Sequence, residues 1–393
     1  MEDSGMKKKF SLLPYRTAAF FCALLMLFSS VSVYAEEAEA ESLTASAKSY
    51  ILMDAASGEV LLEKNADEAL PPASITKVMT MLLVLEAIER GECSMTETVT
   101  ASAHAVSMGG SQIWLKENEQ MTVEDLFKAT AVGSANDAAM ALAEHICGSE
   151  EAFVARMNER AAQLQMTNTV FHNPTGLDAE GHVSTARDIA LMSKELLKHE
   201  TARTYSSIWM DTLRGGQTQL VNTNKLVRFY KGCIGLKTGT TDGAGSCLSA
   251  AAERSGMTLI AVVMGCPTSK ERFADARALL DYGFSAYSIY TPQTGIEALP
   301  LLTVSGGTKE QLALTIETAP MLLKKAQASE VKEEILLPES VEAPVAKGDQ
   351  VGELCITAGD RTLSFSICAA DDVPRLGFWS SLCLLFSRLI AFA

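Results

Sequence analysis

Basic residues are in deficit. The 393-residue chain carries 33 Lys and Arg against 48 Asp and Glu, a formal net charge of −15. Such a surface repels nucleic acid, and Lys7-Lys8-Lys9 is the only basic run. Histidine is scarce as well: there are five, with no HxxxH or HExxH pattern, so no zinc site is expected. The nine cysteines (22, 93, 147, 233, 247, 266, 355, 368 and 383) include no CxxC pair and no metal spacing. They read as scattered small hydrophobes, and nothing in their spacing argues for disulfides. Low-complexity tracts are absent, and 48% apolar with 21% charged residues excludes a mostly disordered chain. The length suits two domains. No cofactor and no metal is expected.

The longest apolar stretches lie at the two ends. Lys7-Lys8-Lys9 and Arg16 precede an apolar run from Ala18 to Phe28, then Val33 and Ala35 at the −3 and −1 positions of a cleavage site. This reads as a secretory signal over residues 1–35, with an uncleaved anchor as the alternative. Residues 36–46 form an acidic leader. At the other end, residues 374–393 read as an amphipathic helix. Within Gly377–Ala393 the polar side chains Ser380, Ser381, Ser387 and Arg388 fall on one narrow arc. Seventeen helical residues span about 25 Å, less than a hydrocarbon core of about 30 Å. The expectation is a helix lying in the membrane interface, anchoring an exported protein to the outer face of the cytoplasmic membrane. A helix docked on the protein itself is the alternative.

Between the ends, two domains are expected. Residues 47–290 begin with a hairpin pattern, Ser49–Asp54 and Glu59–Glu63 around Ala-Ala-Ser-Gly. Ser74 to Arg90 is helical, with Val78, Met81, Leu82 and Leu85 on one face and Gly91 as the stop. Thr122-Val-Glu-Asp125 resembles a capping box opening a helix through Ala131. Further helices are expected at Asp137–Cys147, Glu150–Gln165 and Thr185–Lys198. Three strands follow (Cys233–Thr238, Cys247–Ala252, Thr258–Met264), then a helix over Lys270–Tyr282. Strands at both ends and helices in the middle predict an α/β sandwich with one antiparallel sheet. Residues 291–373 show short strand-like runs (Leu301 to Val304, Gln311–Ile316, Val331–Leu337, Val351–Thr357, Arg361–Ile367) separated by turn signals, which predicts a small all-β domain.

Three motifs carry chemistry. Ser74-Ile-Thr-Lys77 opens the first long helix, so the two side chains share a face about one turn apart. A Ser at a helix N-terminus meets outward N–H groups that favour a developing anion, and a desolvated Lys becomes a base. A capped helix with a solvent-facing Lys is the plain alternative. Ser134-Ala135-Asn136 is either an N-cap or a proton-relaying hydroxyl beside a carboxamide that binds a peptide. Lys237-Thr238-Gly239 ends a strand that can pair with an extended peptide. Lys237 would supply charge, Thr238 a hydroxyl and Gly239 room for close approach; a polar strand end is the alternative.

The three occur in the order SxxK, SxN, KTG, 60 and 103 residues apart. With Pro71-Pro-Ala-Ser-Ile-Thr-Lys-Val-Met-Thr80, Ser107–Gln112, Asn173-Pro-Thr-Gly-Leu177, Ser184–Asp188 and Ala343–Gly352, they make nearly the whole chain resemble the low-molecular-mass penicillin-binding D-alanyl-D-alanine carboxypeptidases. Met108-Gly-Gly-Ser and Val221–Lys225 look most like the branch of spore-forming bacteria. The resemblance implies a serine β-lactamase/DD-peptidase-like domain, an antiparallel sheet flanked by helices, followed by a small all-β domain. It also implies peptidoglycan stem peptides as substrate and β-lactams as covalent inhibitors. Ser74 would be acylated, with Lys77 as base and Ser134 as proton shuttle. Asn136 would hold the donor peptide, and Lys237 and Thr238 the terminal carboxylate. The N–H groups of Ser74 and Thr240 would form the oxyanion hole. Arg272 aligns with a basic residue near the carboxylate, or is an ordinary helix-surface Arg. Some members carry His before Gly-Leu-Asp; here Thr175 stands there, so no role of that His transfers.

Two other functions compete. A class A type serine β-lactamase would need a positioned Glu, and no Glu-x-x-Leu-Asn string lies between 136 and 237. A non-enzymatic penicillin-binding scaffold would not need Ser74, Lys77, Ser134 and Lys237 together.

Overall fold

The computed structural model describes residues 46–378. The expected export signal, nearly all of the leader and positions 379–393 of the expected anchor helix lie outside the described residues. The chain divides into two units, one running to Glu253 and continuing over Thr258–Asp281, the other comprising Arg254–Met257 and the chain from Tyr282 onward.

The first unit is built on a five-stranded sheet. Its strands lie in the order Val60–Lys64, Ser49–Asp54, Met257–Cys266, Gly245–Arg254, Cys233–Thr241. The first hairpin, the pairing of Ser49–Asp54 with Met257–Cys266, and the pairing of Cys233–Thr241 with Gly245–Arg254 are antiparallel. The first unit thus brings its earliest and latest strands into one sheet. Cys233–Thr241 is an edge strand, with one side free of sheet partners. The three late strands run longer than their apolar cores suggest, because polar ends such as Thr240 and Thr241 still pair, opposite Ser246 and Gly245.

Helices Lys77–Glu89, Val123–Val132, Asn136–Cys147, Glu150–Gln163, Ala186–Leu196 and Ser269–Ala286 complete this architecture. Thr122 caps its helix as expected, its Oγ1 accepting from the Asp125 N–H at 3.1 Å. Two expectations change. The first helix does not begin at Ser74: Ala73–Thr76 form a 3-10 turn and the α-helix starts at Lys77. Nor does that helix bury a single face. Met79, Leu83 and Val84 are buried along with Val78, Met81, Leu82 and Leu85. A helix apolar all round is a central helix, covered on every side.

The second unit is all β. One sheet has the order Gln311–Leu312, Leu302–Ser305, Ser340–Glu342, and another Leu314–Ile316, Arg361–Ala369, Gln350–Ala358, Lys332–Leu336. The expected single strand 311–316 breaks at Ala313, since Leu312 pairs with Leu302 while Leu314 pairs with Ala369. One chain thereby passes from one sheet to the next. Leu354, Ile356 and Ala358 are buried at period two, the half-buried strand pattern. Gly359, at φ +58°, turns the hairpin between the two longest strands. Tyr287–Tyr290 pairs with Met321–Lys324, so this unit begins before the expected boundary at 290/291.

Candidate active site

Ser74 sits in the 3-10 turn after Pro71-Pro72, half-buried. The turn is packed too closely for side chains on the strands and loops around it. A Cβ on Gly176 would lie 1.9 Å from the Ala73 carbonyl oxygen, and one on Gly239 would lie 2.7 Å from that of Pro72. Ala73 itself has φ +48°, a strained conformation for an L-residue, immediately before Ser74. The glycine of the KTG motif is therefore fixed by contact with the turn that carries Ser74. The room for close approach expected at Gly239 is taken by the backbone of that turn.

Lys77 is fully buried. Its Nζ lies 3.0 Å from Ser74 Oγ, 2.6 Å from Asn136 Oδ1 and 2.6 Å from the Thr175 carbonyl oxygen. The Asn136 amide is oriented by its Nδ2, which donates to the Gly109 carbonyl at 2.6 Å. Asn136 Oδ1 and Thr175 O can only accept. A neutral amine has two hydrogens and one lone pair, so with both hydrogens on those acceptors the lone pair faces the Ser74 hydroxyl. Burial, then the charge of Lys237, push the Lys77 pKa well below its usual range, against a smaller opposing effect of Asp137.

Ser134 does not cap the helix after it. The cap position is Ala135 and no side chain bonds there. Ser134 holds φ +62° and accepts a hydrogen bond from Lys237 Nζ at 2.8 Å. Lys237 is fully buried, and burial followed by the neighbouring Arg272 brings its pKa down to about 7. Thr238 Oγ1 donates to Thr223 Oγ1 at 2.7 Å. Arg272 is 7% exposed, which rules out a helix-surface Arg. Its Nη1 donates to the Gly239 carbonyl and to Thr240 Oγ1, each at 2.8 Å, so it braces the KTG strand. Among the described residues, Lys77, Lys237 and Arg272 make no ion pair with a carboxylate; their polar partners are hydroxyls, an amide oxygen and main-chain carbonyls. Also among the described residues, no group of His, Cys, Asp or Glu is arranged to hold a metal ion.

Several contributors were not among the candidate site residues. Thr175 acts through its main-chain oxygen, presented by a turn in which Asn173 Oδ1 accepts from the N–H groups of Thr175 and Gly176 at 3.1 and 2.7 Å. Asp137 accepts from the amides of Ile113 and Leu115, tying the 111–115 segment to the helix that carries Asn136. His182 Nδ1 accepts from the His172 N–H at 3.1 Å, so Nε2 bears the hydrogen that reaches Thr76 Oγ1 at 2.9 Å. Burial, with His172 second, lowers its pKa to about 4 and keeps it neutral beside Thr76 of the turn that carries Ser74.

Comparison with known proteins agrees with this geometry. The D-alanyl-D-alanine carboxypeptidase family of S11 peptidases matches residues 35–268, and the C-terminal domain of penicillin-binding protein 5 matches residues 298–375. The chain is 41% identical to D-alanyl-D-alanine carboxypeptidase DacF of Bacillus subtilis, over 90% of this chain and 93% of that one. It is 37% identical to DacC of Escherichia coli, over 84% and 85%. Penicillin binding protein 5 from Haemophilus influenzae superposes with a TM-score of 0.73 at 32% identity, covering 84% of this chain and 98% of that one. The ampicillin-bound form of penicillin-binding protein D2 from Listeria monocytogenes superposes at 0.56 with 35% identity, over 61% and 97%. With its serine and lysine in hydrogen-bond contact inside that matched region, the chain belongs to the S11 family of serine D-alanyl-D-alanine carboxypeptidases.

Proposed function

We propose that the protein removes the terminal D-alanine from peptidoglycan stem peptides through an acyl-enzyme on Ser74, and that β-lactams acylate the same oxygen. The observation that carries this reading is Lys77 Nζ at 3.0 Å from Ser74 Oγ, with its other two contacts on pure acceptors. Ser74 Oγ attacks the carbonyl carbon of the penultimate D-alanine as its proton passes to Lys77. The oxyanion is held by the N–H groups of Ser74 and Thr240. Ser134, backed by Lys237, delivers the proton to the departing amine as the C–N bond breaks. Water then cleaves the ester and restores Ser74. Asn136 holds the donor peptide, and Lys237 with Thr238 binds the terminal carboxylate. Gly239 and Arg272 fix the strand that carries these groups. The edge position of Cys233–Thr241 supports main-chain pairing with the peptide.

Export and anchoring belong to the same proposal. Residues 1–35 direct export and the mature chain begins with the leader 36–46. Pro374 to Leu376, expected to open the anchor helix, instead pair with Gly306 to Thr308 of the second unit, so residues 377–393 are the part that lies in the membrane interface beside the wall substrate. Among the described residues no helix is long and apolar enough to cross a membrane. Deleting residues 377–393 should release the protein from membranes while hydrolysis of a soluble peptide persists. The main test is D-alanine release from a Lys-D-Ala-D-Ala peptide by the purified protein. Stoichiometric penicillin binding without any D-alanine release would overturn the carboxypeptidase reading.

A further inference from the structure

Backbone strain is unevenly distributed. Eight described non-glycine residues have positive φ. Two of them, Ala73 and Ser134, belong to the catalytic cluster. Three others, Trp114 at +60°, Asn118 at +65° and Arg214 at +52°, line one groove of about 840 Å³ outside it. Strain held by surrounding structure concentrates where ligands are clamped.

That groove is built rigidly around an unused aromatic face. The amides flanking Trp114, those of Ile113 and Leu115, both donate to the Asp137 carboxylate, at 3.1 and 3.0 Å. The Ile113 carbonyl accepts from Arg214 Nη1 at 2.9 Å. Arg214 also forks onto Glu119, at 2.6 and 3.1 Å, and donates to Thr218 Oγ1 at 2.8 Å. Pinned on both sides, Trp114 is nevertheless 74% exposed, more than any other large apolar residue of the first unit. Burying an indole would normally be favourable, so a fold that fixes it outward keeps a flat platform available.

The remaining lining names the ligand chemistry. Asn118, Gln217 and Gln219 bring three carboxamides, each able to donate and accept, to the same groove. Its charged side chains are two acids, Glu117 and Glu119, and two bases, Lys116 and Arg214, of which Glu119 and Arg214 neutralise each other. A neutral groove with an aromatic platform and several amides suits a neutral ligand rich in hydroxyl and acetamide groups. An anion would find no net charge there, and an apolar ligand would leave the amides unpaired.

Its position matches the substrate's geometry. Ser111, whose carbonyl accepts the Asn136 N–H at 2.7 Å, is three residues from Trp114, so the platform begins within about 11 Å of the catalytic cleft. Four extended residues, from the scissile bond back to the sugar that bears the stem, span about 14 Å.

We propose that this groove is a glycan subsite, in which Trp114 stacks against an N-acetylated sugar of the peptidoglycan strand while Asn118, Gln217 and Gln219 hydrogen-bond its acetamide and hydroxyl groups. This rests on the carboxypeptidase reading for the identity of the polymer. Its test is independent of turnover: calorimetric titration of the Ser74→Ala protein with a bare stem pentapeptide and with the same stem linked to its N-acetylated disaccharide. The disaccharide-linked stem should bind about tenfold more tightly, a difference of about 1.4 kcal/mol. Trp114→Gly, which suits φ +60° and gives up little buried surface, should bring the ratio close to one. Trp114→Phe should keep most of it, and Gln219→Ala part of it. Equal affinities for the two ligands, no detectable binding of either, or a ratio that survives Trp114→Gly overturns the subsite. D-alanine release by the wild type separately decides the carboxypeptidase reading.

Discussion

Replacing Gly239 by alanine isolates the contact between the KTG strand and the nucleophile turn. The backbone there is ordinary for an L-residue, so strain in φ is not at issue. The added Cβ would lie 2.7 Å from the Pro72 carbonyl oxygen, 3.0 Å from Ala73 Cβ and 3.2 Å from the Ile75 nitrogen. All three belong to the turn that carries Ser74, two of them are backbone atoms, and none can rotate away. Relief at the carbonyl alone needs about half an ångström of movement to reach ordinary van der Waals contact. Overpacking of this kind costs about 1–3 kcal/mol, which lowers the melting temperature of a domain this size by about 2–12 °C. The same displacement moves Ser74 relative to Lys237 and Thr240, and misplacement approaching 1 Å costs about 10²-fold in rate. The assays are thermal unfolding and the second-order rate of penicillin acylation. An alanine variant with wild-type melting temperature that loses only peptide affinity would show that Gly239 faces substrate after all. Wild-type behaviour in both assays would refute the close contact itself.

Lys77→Arg should reduce penicillin acylation about 10²–10⁴-fold, because the guanidinium cannot give up its proton; near-normal acylation would make Lys77 a purely electrostatic group. The kcat/KM for a carboxylate-bearing peptide should be bell-shaped in pH. The acid limb marks protonation of Lys77, whose depressed pKa makes the neutral base available at lower pH than a free lysine would. The alkaline limb, near pH 7, marks loss of the Lys237 proton. Arg272→Met removes the neighbouring charge that helps hold the Lys237 pKa down, so the alkaline limb should move to higher pH. The Gly239 carbonyl keeps the Thr240 hydroxyl as a donor, so the loss of the hydrogen bond from the charged Arg272 should also cost about 1.5–3 kcal/mol of stability. A stationary alkaline limb in that variant would detach it from Lys237.

The site was legible wherever chemistry resides in a side chain of distinctive type. Ser74, Lys77, Ser134, Asn136 and Lys237 could be read from spacing and resemblance, and their hydrogen bonds bring them together. The hairpin at Ser49–Lys64 and the Thr122 cap were legible too, because turn and capping residues act locally. What stayed hidden acts through the main chain or through non-local cover. The Thr175 carbonyl contacts Lys77 whatever side chain follows Pro174. Gly239 looked like a substrate-facing glycine because nothing local reveals that a turn more than 160 residues earlier presses on it. The central helix looked one-sided because periodicity detects a polar face only when one faces water; Met79, Leu83 and Val84 are buried by helices that no local window contains. Arg272 could be a carboxylate-side group or a surface Arg on sequence alone for the same reason: its acceptors, Gly239 and Thr240, lie on another element.

The central claim is that Ser74 Oγ, with its proton taken by Lys77, is the atom that becomes acylated. Mapping the penicillin adduct by mass spectrometry on the wild-type protein and on Ser74→Ala tests it most directly. The account predicts one penicilloyl group per chain, located on the peptide containing Ser74, and no covalent adduct on the alanine variant at an unchanged melting temperature. An adduct on Ser134 or elsewhere, or labelling that persists in Ser74→Ala, would contradict it.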